Sequence, residues 1–223
     1  MLIAVCSALN MHAAVIYTEL FSGNTSGWSS SGLTSYGYSA GEGNVPGSLV
    51  GSMNPSGMFP QFGAFIAEEG ASSGSFAGDY LTEGAQSIRF DFMSGNVAPQ
   101  TLSLVLSSGS SAFVYSFAPL LNLDTWATYT APLISSAGWV GSGSFNAVLL
   151  NVDKVQIQFA SDTPGAQSYY LDNVSLNDED LPTVIPEPGS GMLVLLLGMI
   201  LWVLGSRRSN NSLHTCLSGK EAI

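Results

Sequence analysis

The sequence predicts an all-β fold, a two-sheet antiparallel β-sandwich, followed by an extended linker and one C-terminal transmembrane helix. The 223-residue chain has 25 glycines and only 9% charged residues, and its central part is rich in Ser, Thr and aromatics. This composition is typical of strands joined by many turns. Ile88, Phe90 and Phe92 alternate with Arg89 and Asp91, which is the period of a strand with one buried face.

Nine segments with apolar residues at strand spacing are flanked by turn signals, and no segment before the tail has the periodicity of an amphipathic helix. Gly, Ser, Pro and Asn concentrate in residues 23–32, 42–60 and 68–78, which we expect to be loops. The predicted strands are Val15–Phe21, Thr34–Tyr38, Phe62–Ile66, Ser87–Met93, Thr101–Leu106, Ala112–Phe117, Trp126–Leu133, Lys154–Ser161 and Ser168–Leu176.

The tail has three parts in a fixed order. Pro186, Glu187 and Pro188 come first, then an uncharged apolar run over Met192–Leu204, then Arg207 and Arg208. Proline cannot continue a helix and favours an extended residue before it, so the first part is expected to be an extended peptide. The apolar run predicts a short transmembrane helix over residues 190–205, with a buried helix as the alternative. The arginines mark its cytoplasmic end and place residues 1–188 outside the cytoplasm.

This order of Pro-Glu-Pro, transmembrane helix and arginine pair resembles the PEP-CTERM sorting signal of Gram-negative bacteria. The resemblance implies that a membrane-embedded cysteine enzyme, exosortase, cuts at Pro186–Pro188 and releases or re-anchors the protein. It also implies export across the inner membrane, a transient membrane anchor and a final place at the cell surface or outside the cell. The family usually ends soon after the basic residues, whereas this chain continues to residue 223.

The sequence therefore predicts five regions. Residues 1–14 are apolar and end in small residues, as the end of a signal peptide does, although a first strand running from Met1 is the alternative. The regions are a signal-peptide remnant over 1–14, the β-sandwich domain over 15–176, an acidic linker over 177–185, the sorting signal over 186–208 and a cytoplasmic tail over 209–223.

Charge argues against several partners. The net charge is −11, and Arg89 and Lys154 are the only basic residues between Val15 and Ile185. Nucleic-acid binding needs a basic surface, so no nucleic-acid partner is expected. Binding to anionic membrane surfaces is disfavoured for the same reason.

Catalytic side chains are scarce in the domain. Both histidines, His12 and His214, and both cysteines, Cys6 and Cys216, lie in the leader or the tail. Ser-His-Asp hydrolysis and Cys-based chemistry therefore have no residues within the domain, and no phosphate-binding loop precedes a helix. We expect a protein that is not an enzyme.

Three short motifs in the domain suggest a more specific fold. They are the Glu19–Phe21 and Gly27–Trp28 pair near the N-terminus, Thr125–Leu133 in the middle and Tyr169–Leu176 at the end. Together they resemble the jelly rolls of carbohydrate-binding modules and galactose-binding-like domains. The resemblance implies neighbouring first and last strands, and a structural Ca²⁺ is frequent in such modules.

Glu19 and Asp172 are the predicted calcium ligands. They lie in the first and last strands, and carboxylates with backbone carbonyls form the oxygen cage that Ca²⁺ prefers. The alternative is that Asp172 accepts hydrogen bonds in a turn and that Glu19 is merely solvated.

Loop aromatics are the candidates for sugar stacking, because a flat ring packs on the apolar face of a pyranose. The candidates are Trp28, Tyr36, Tyr38 and Trp139, and the alternative for each is core packing. Trp126 begins a strand and is expected in the core.

The sequence thus favours an exported, non-catalytic protein of the cell surface or the extracellular polysaccharide matrix, with polysaccharide as its expected partner. A structural or adhesive protein with no glycan ligand and, less favoured, a glycan-active enzyme remain open.

Overall fold

Strands make up most of the part of the chain that the computed structural model describes, which is residues 15–43, 47–118 and 122–178. Twelve strands occur in these residues, with one short α-helix and two short 3₁₀ segments. The strands are β1 (Val15–Glu19), β2 (Ser29–Ser31), β3 (Ser35–Ser39), β4 (Ser48–Met53), β5 (Gln61–Glu68), β6 (Ser87–Ser94), β7 (Thr101–Ser108), β8 (Ser111–Phe117), β9 (Ala127–Pro132), β10 (Val140–Gly141), β11 (Lys154–Ser161) and β12 (Gln167–Asn177). Helix α1 is Phe145–Leu149, and the 3₁₀ segments are Ala71–Gly74 and Ser135–Ala137.

The strands form two six-stranded antiparallel sheets. In the first sheet the order is β3-β4-β12-β6-β9, and β1 also pairs with β12. In the second sheet the order is β10-β8-β7-β11-β5-β2. The prediction of an all-β fold with two antiparallel sheets is therefore confirmed, and the first and last described strands are neighbours.

The core lies between the inward faces of the two sheets. Alternation in β6 and β11 brings rings such as Phe92 and Phe159 together, with centroids 5.5 Å apart. Phe90 and Ile157 are also fully buried. Burying each such side chain stabilises the fold by about 1.5–3 kcal/mol. The alternation of these residues with polar ones therefore predicts which face of each strand is buried.

Three short strands were missed because their sequences have loop composition. Strand β4 lies inside the predicted loop 42–60, yet it pairs with β3 on one side and β12 on the other. Leu49 and Met53 point into the core, so tertiary pairing decides the conformation. Strands β2 and β10 were missed as well. Helix α1 was also unexpected, and Ser144 caps its N-terminus, because the Ser144 hydroxyl accepts the N–H of Ala147.

The predicted leader, most of the acidic linker, the sorting signal and the cytoplasmic tail lie outside the described residues. Among the residues that are described, no helix is long and apolar enough to cross a membrane. The sorting and anchoring predictions therefore stay predictions.

Candidate functional site

Glu19 ends β1, and protein donors surround its buried carboxylate. Its Oε1 accepts the backbone N–H of Phe21 at 2.8 Å. Its Oε2 accepts the hydroxyls of Ser72 at 2.8 Å and of Tyr17 at 3.1 Å. The alternative in which Glu19 is merely solvated is therefore wrong, because Glu19 is only 7% exposed.

Asp172 lies on β12 directly opposite Asp91 on β6, and both are buried. One Asp172 oxygen accepts the N–H of Asn173 at 2.7 Å, and Asp91 accepts the hydroxyl of Thr128 and the amide of Asn173. Asn173 has a left-handed φ of 50°, where the β12–β6 register shifts. The turn-like contact of Asp172 matches the alternative given for it.

The two predicted calcium ligands occupy neighbouring strands, but Glu19 lies opposite Val174 and not opposite Asp172. Among residues 15–43, 47–118 and 122–178, no group of three or more His, Cys, Asp or Glu side chains is placed to hold a metal ion. A Ca²⁺ ion prefers six to eight oxygen ligands. Calcium binding therefore stays a prediction that needs ligands beyond these two carboxylates.

Two of the four predicted sugar-stacking rings are core residues. Trp28 is 3% exposed and packs edge-on against Phe21 and Phe76. Trp139 is 8% exposed, and its ring lies 4.9 Å from that of Phe145. The expectation of exposed rings is corrected here, because both indoles fill the sandwich interior and both N–H groups are bonded within the protein.

The other two predicted rings, Tyr36 and Tyr38, are partly buried and pack against the core. The Tyr36 hydroxyl donates to the carbonyl of Trp28 at 2.9 Å, so its polar end is held inside the protein. Burial raises the pKa of Tyr36 to about 12, because the phenolate is disfavoured away from water. These rings also serve as packing residues.

The outer face of the second sheet, the side turned away from the first sheet, has hydroxyl and amide side chains in register on neighbouring strands. Its rows follow from the register: Gln158 lies opposite Ala64 on β5 and Ser103 on β7. Ser31 extends this row on β2, and Ser116 extends it on β8. The row crosses five strands, a distance of about 19 Å at 4.8 Å per strand.

A second row runs beside it through Ile66, Gln156, Val105 and Val114. Gln156 is the one polar residue among these four, and Val105 is buried. The Gln158 amide donates to Gln156 Oε1 at 2.8 Å, so the two rows are joined by a hydrogen bond. Phe62, which is 64% exposed, lies on the same face at one end of β5. We call these two rows together with Phe62 the polar face.

The polar face has little net charge. At the end away from Phe62, Lys154 and Glu68 form a salt bridge of 2.9 Å across β11 and β5. Hydroxyl and amide groups form the rest of its hydrogen-bonding capacity. Such a surface suits a neutral ligand with many hydroxyls better than an ionic one.

Sequence reasoning placed Gln156 and Gln158 outward but did not single them out, and it missed Phe62. The alternation in β5 was the available signal, because Phe62, Ala64 and Ile66 fall on one side and Phe65 and Ala67 on the other. The small and apolar residues on both sides hid which face is exposed.

A separate pocket of about 490 Å³ lies beside the 3₁₀ segment Ala71–Gly74. Glu69, Asn151 and Asp153 supply its polar groups. An Asp153 oxygen accepts the N–H of Gly109, so this carboxylate fixes a hairpin loop.

The similar solved structures include carbohydrate-binding modules. The solution structure of CtCBM11 is 15% identical, with a TM-score of 0.51, and the match covers 78% of this chain and 99% of that one. A structure of an exo-β-agarase is 14% identical, with a TM-score of 0.52, and covers 76% of this chain but only 26% of the enzyme. The family 11 module of cellulase Lic26A-Cel5E of Clostridium thermocellum is 17% identical, with coverages of 74% and 94% and a TM-score of 0.48.

No family model matches the sequence, and no curated protein matches it. At these identities the similar structures show the fold alone. The predicted resemblance to carbohydrate-binding-module jelly rolls is confirmed at that level.

Proposed function

We propose that this chain is an exported, non-catalytic carbohydrate-binding protein whose polar face binds a neutral polysaccharide. The observation behind the proposal is that Ser31, Gln158, Ser103 and Ser116 lie in one row across the second sheet and are exposed or half-exposed, with the small buried Ala64 between them on β5. The fold likeness to carbohydrate-binding modules supports the same function. The similar agarase structure also shows that this kind of domain occurs within a glycan-active enzyme.

The chemistry of the polar face suits a sugar chain. The side-chain amides of Gln156 and Gln158 each offer donors and an acceptor, which can pair with sugar hydroxyls. The exposed ring of Phe62 offers an apolar surface for one sugar face at the end of the row. Lys154 and Glu68 neutralise each other in an ion pair, so neither side chain needs a charged ligand.

The sorting signal supplies the cellular part of the proposal. Pro186–Pro188, the apolar run and Arg207–Arg208 support export, brief anchoring and processing by an exosortase-type enzyme. In cells that have such an enzyme, mass spectrometry of the recovered protein should show a C-terminus near Pro188. Recovery of full-length chain alone would contradict processing.

Binding is tested with the full chain in detergent against soluble mixed-linkage β-glucan, xylan, agarose and mannan, with alginate as an acidic comparison. We expect binding to at least one neutral glycan and none to alginate. Gln158→Ala and Phe62→Ala should each weaken binding about tenfold, since each removes about 1.4 kcal/mol. Ile134→Ala, which truncates an exposed apolar side chain in the loop after β9, is the matched control.

The alternatives make different predictions for the same samples. A structural or adhesive protein with no glycan ligand would bind none of the four neutral glycans. A glycan-active enzyme would release reducing ends during incubation. Either result would overturn the proposal.

A further inference from the structure

Two aromatic residues lie on the outer face of the first sheet, on the opposite side of the sandwich from the polar face. Trp126 and Tyr170 are both partly exposed, and neither belongs to the hydrophobic core. Their ring centroids are 6.5 Å apart, with an interplanar angle of 67°. Trp126 was expected in the core, so this is a correction.

The strand register explains how these rings come together. Tyr170 on β12 lies opposite Met93 on β6. Phe92 lies opposite Ala127, which places Trp126 beside Met93 from the other edge. Met93 faces outward between these two positions and is only 6% exposed. We call Trp126, Met93 and Tyr170 the aromatic ridge.

Small and polar residues border the aromatic ridge. Towards one end, the Tyr170 ring lies against Gly95, where an added Cβ would be 3.4 Å from Tyr170 Cε2. Towards the other end lie Thr128 and Asn173, which both donate hydrogen bonds to Asp91. The ridge is therefore bordered at these two ends by small residues and by hydroxyl, amide and carboxylate groups.

We propose that the aromatic ridge is a second polysaccharide-binding surface, so that one molecule bridges two neutral glycan strands. This inference rests on the proposed function of the polar face. The two surfaces face away from each other, and packed sheets are about 10 Å apart. One strand cannot occupy both surfaces without wrapping around an edge.

Charge and ring geometry define the occupant. Arg89 and Lys154 are the only basic residues between residues 15 and 185, and the net charge of the chain is −11, so an acidic polysaccharide would be repelled. Rings inclined at 67° cannot both lie flat on one plane. The ridge therefore fits a twisted single glycan strand and does not fit the flat surface of a crystalline polysaccharide.

The test uses the full chain in detergent and the neutral glycan that binds best in the panel above. Calorimetry with a short oligosaccharide of that glycan gives the number of sites, and light scattering with the polymer gives cross-linking. We expect two sites and strong scattering for the natural sequence. Trp126→Ala and Tyr170→Ala should each leave one site and abolish most of the scattering increase.

Two variants keep the result interpretable. Tyr170→Phe retains the ring and should retain both sites, whereas Ile134→Ala should behave as the natural sequence, and melting curves confirm that each variant is folded. Two sites in Trp126→Ala, or one site in the natural sequence that Trp126→Ala retains, would overturn the inference while leaving the polar face intact. A single site that Trp126→Ala abolishes would place binding on the ridge alone and remove the proposed role of the polar face. Binding to microcrystalline cellulose through the ridge would contradict the twisted-strand assignment. No binding to any neutral glycan would remove the proposed function and this inference together.

Discussion

The hydroxyl of Ser72 donates a 2.8 Å hydrogen bond to Oε2 of Glu19, across 53 residues of sequence. The same Ser72 Oγ accepts the indole N–H of Trp28 at 2.9 Å. All three side chains are buried, so the chain of hydrogen bonds connects β1, the Trp28 loop and the 3₁₀ segment in a place that water does not reach. This arrangement explains why Trp28 is a packing residue and not a ligand-binding one.

Ser72→Ala should lower the free energy of unfolding by about 2 kcal/mol, because it leaves the Trp28 N–H and one bond of the Glu19 carboxylate unsatisfied in the interior. Urea unfolding measures the change. Ser73→Ala is the control, since Ser73 shares the left-handed backbone, with φ of 58° against 49° for Ser72, but is exposed. Equal losses in the two variants would assign the effect to the backbone and contradict the hydrogen-bond explanation.

Gly32→Ala should be strongly destabilising. Gly32 has a φ of +67°, and a Cβ there would lie 1.9 Å from the carbonyl oxygen of Phe62. The backbone between β2 and β3 would have to move away from β5, which costs about 3 kcal/mol or more. Gly23→Ala is the matched control, because no atom lies within 4 Å of its added Cβ. A thermal melt of Gly32→Ala that matches the natural sequence would show that the loop shifts without cost.

The sequence predicts those strands in which apolar and polar residues alternate with period two. The alternation in β6 and β11 is clear because large apolar residues on one side of each strand alternate with mostly polar residues on the other. Strand β4 could not be predicted, since its Gly and Ser residues match a loop. Gly51 is required there because an added Cβ would lie 2.5 Å from the Leu33 side chain and 3.1 Å from the Phe65 ring. Both contacts come from the tertiary structure and cannot be predicted from the local sequence.

The candidate surfaces were harder to predict than the fold. Which aromatic is exposed depends on which sheet a strand joins and on which side the other sheet lies. Trp28 lies in a loop and is buried, whereas Trp126 lies at the start of a strand and is partly exposed. The local sequence of each tryptophan therefore predicted the opposite exposure. The alternation in β11 alone predicted that Gln156 and Gln158 point outward, and the structure has them on the outer face.

Alkaline pH should destabilise the domain between about pH 10 and pH 12. Burial raises the pKa of Tyr36 and of Tyr169 to about 12, above the value of about 10 for an unfolded chain. The folded state therefore holds these protons more tightly. Stability is complete below pH 10 and is lost as pH rises through the folded pKa values. Tyr36→Phe should flatten this dependence, as measured by urea unfolding at several pH values. An unchanged slope would show that Tyr36 ionises equally in both states.

Calcium should raise the melting temperature of the full chain if Glu19 and Asp172 contribute to a cation site. A ligand at 100 times its Kd adds about 2.7 kcal/mol, which corresponds to a rise of about 5–10 °C for a domain of this size. The Ser72 and Tyr17 hydroxyls could turn their protons away from Glu19, but the Phe21 N–H cannot, so at most part of this carboxylate would be free to bind the ion. The test compares melting temperatures in calcium and in chelator for the natural sequence, Glu19→Gln and Asp172→Asn. Loss of a calcium-dependent rise in both variants would support one shared site, and the exposed Glu69→Gln should keep any such rise. Melting curves that coincide in calcium and in chelator would rule out the site and leave Glu19 with a purely structural role in fixing β1 to the Ser72 segment.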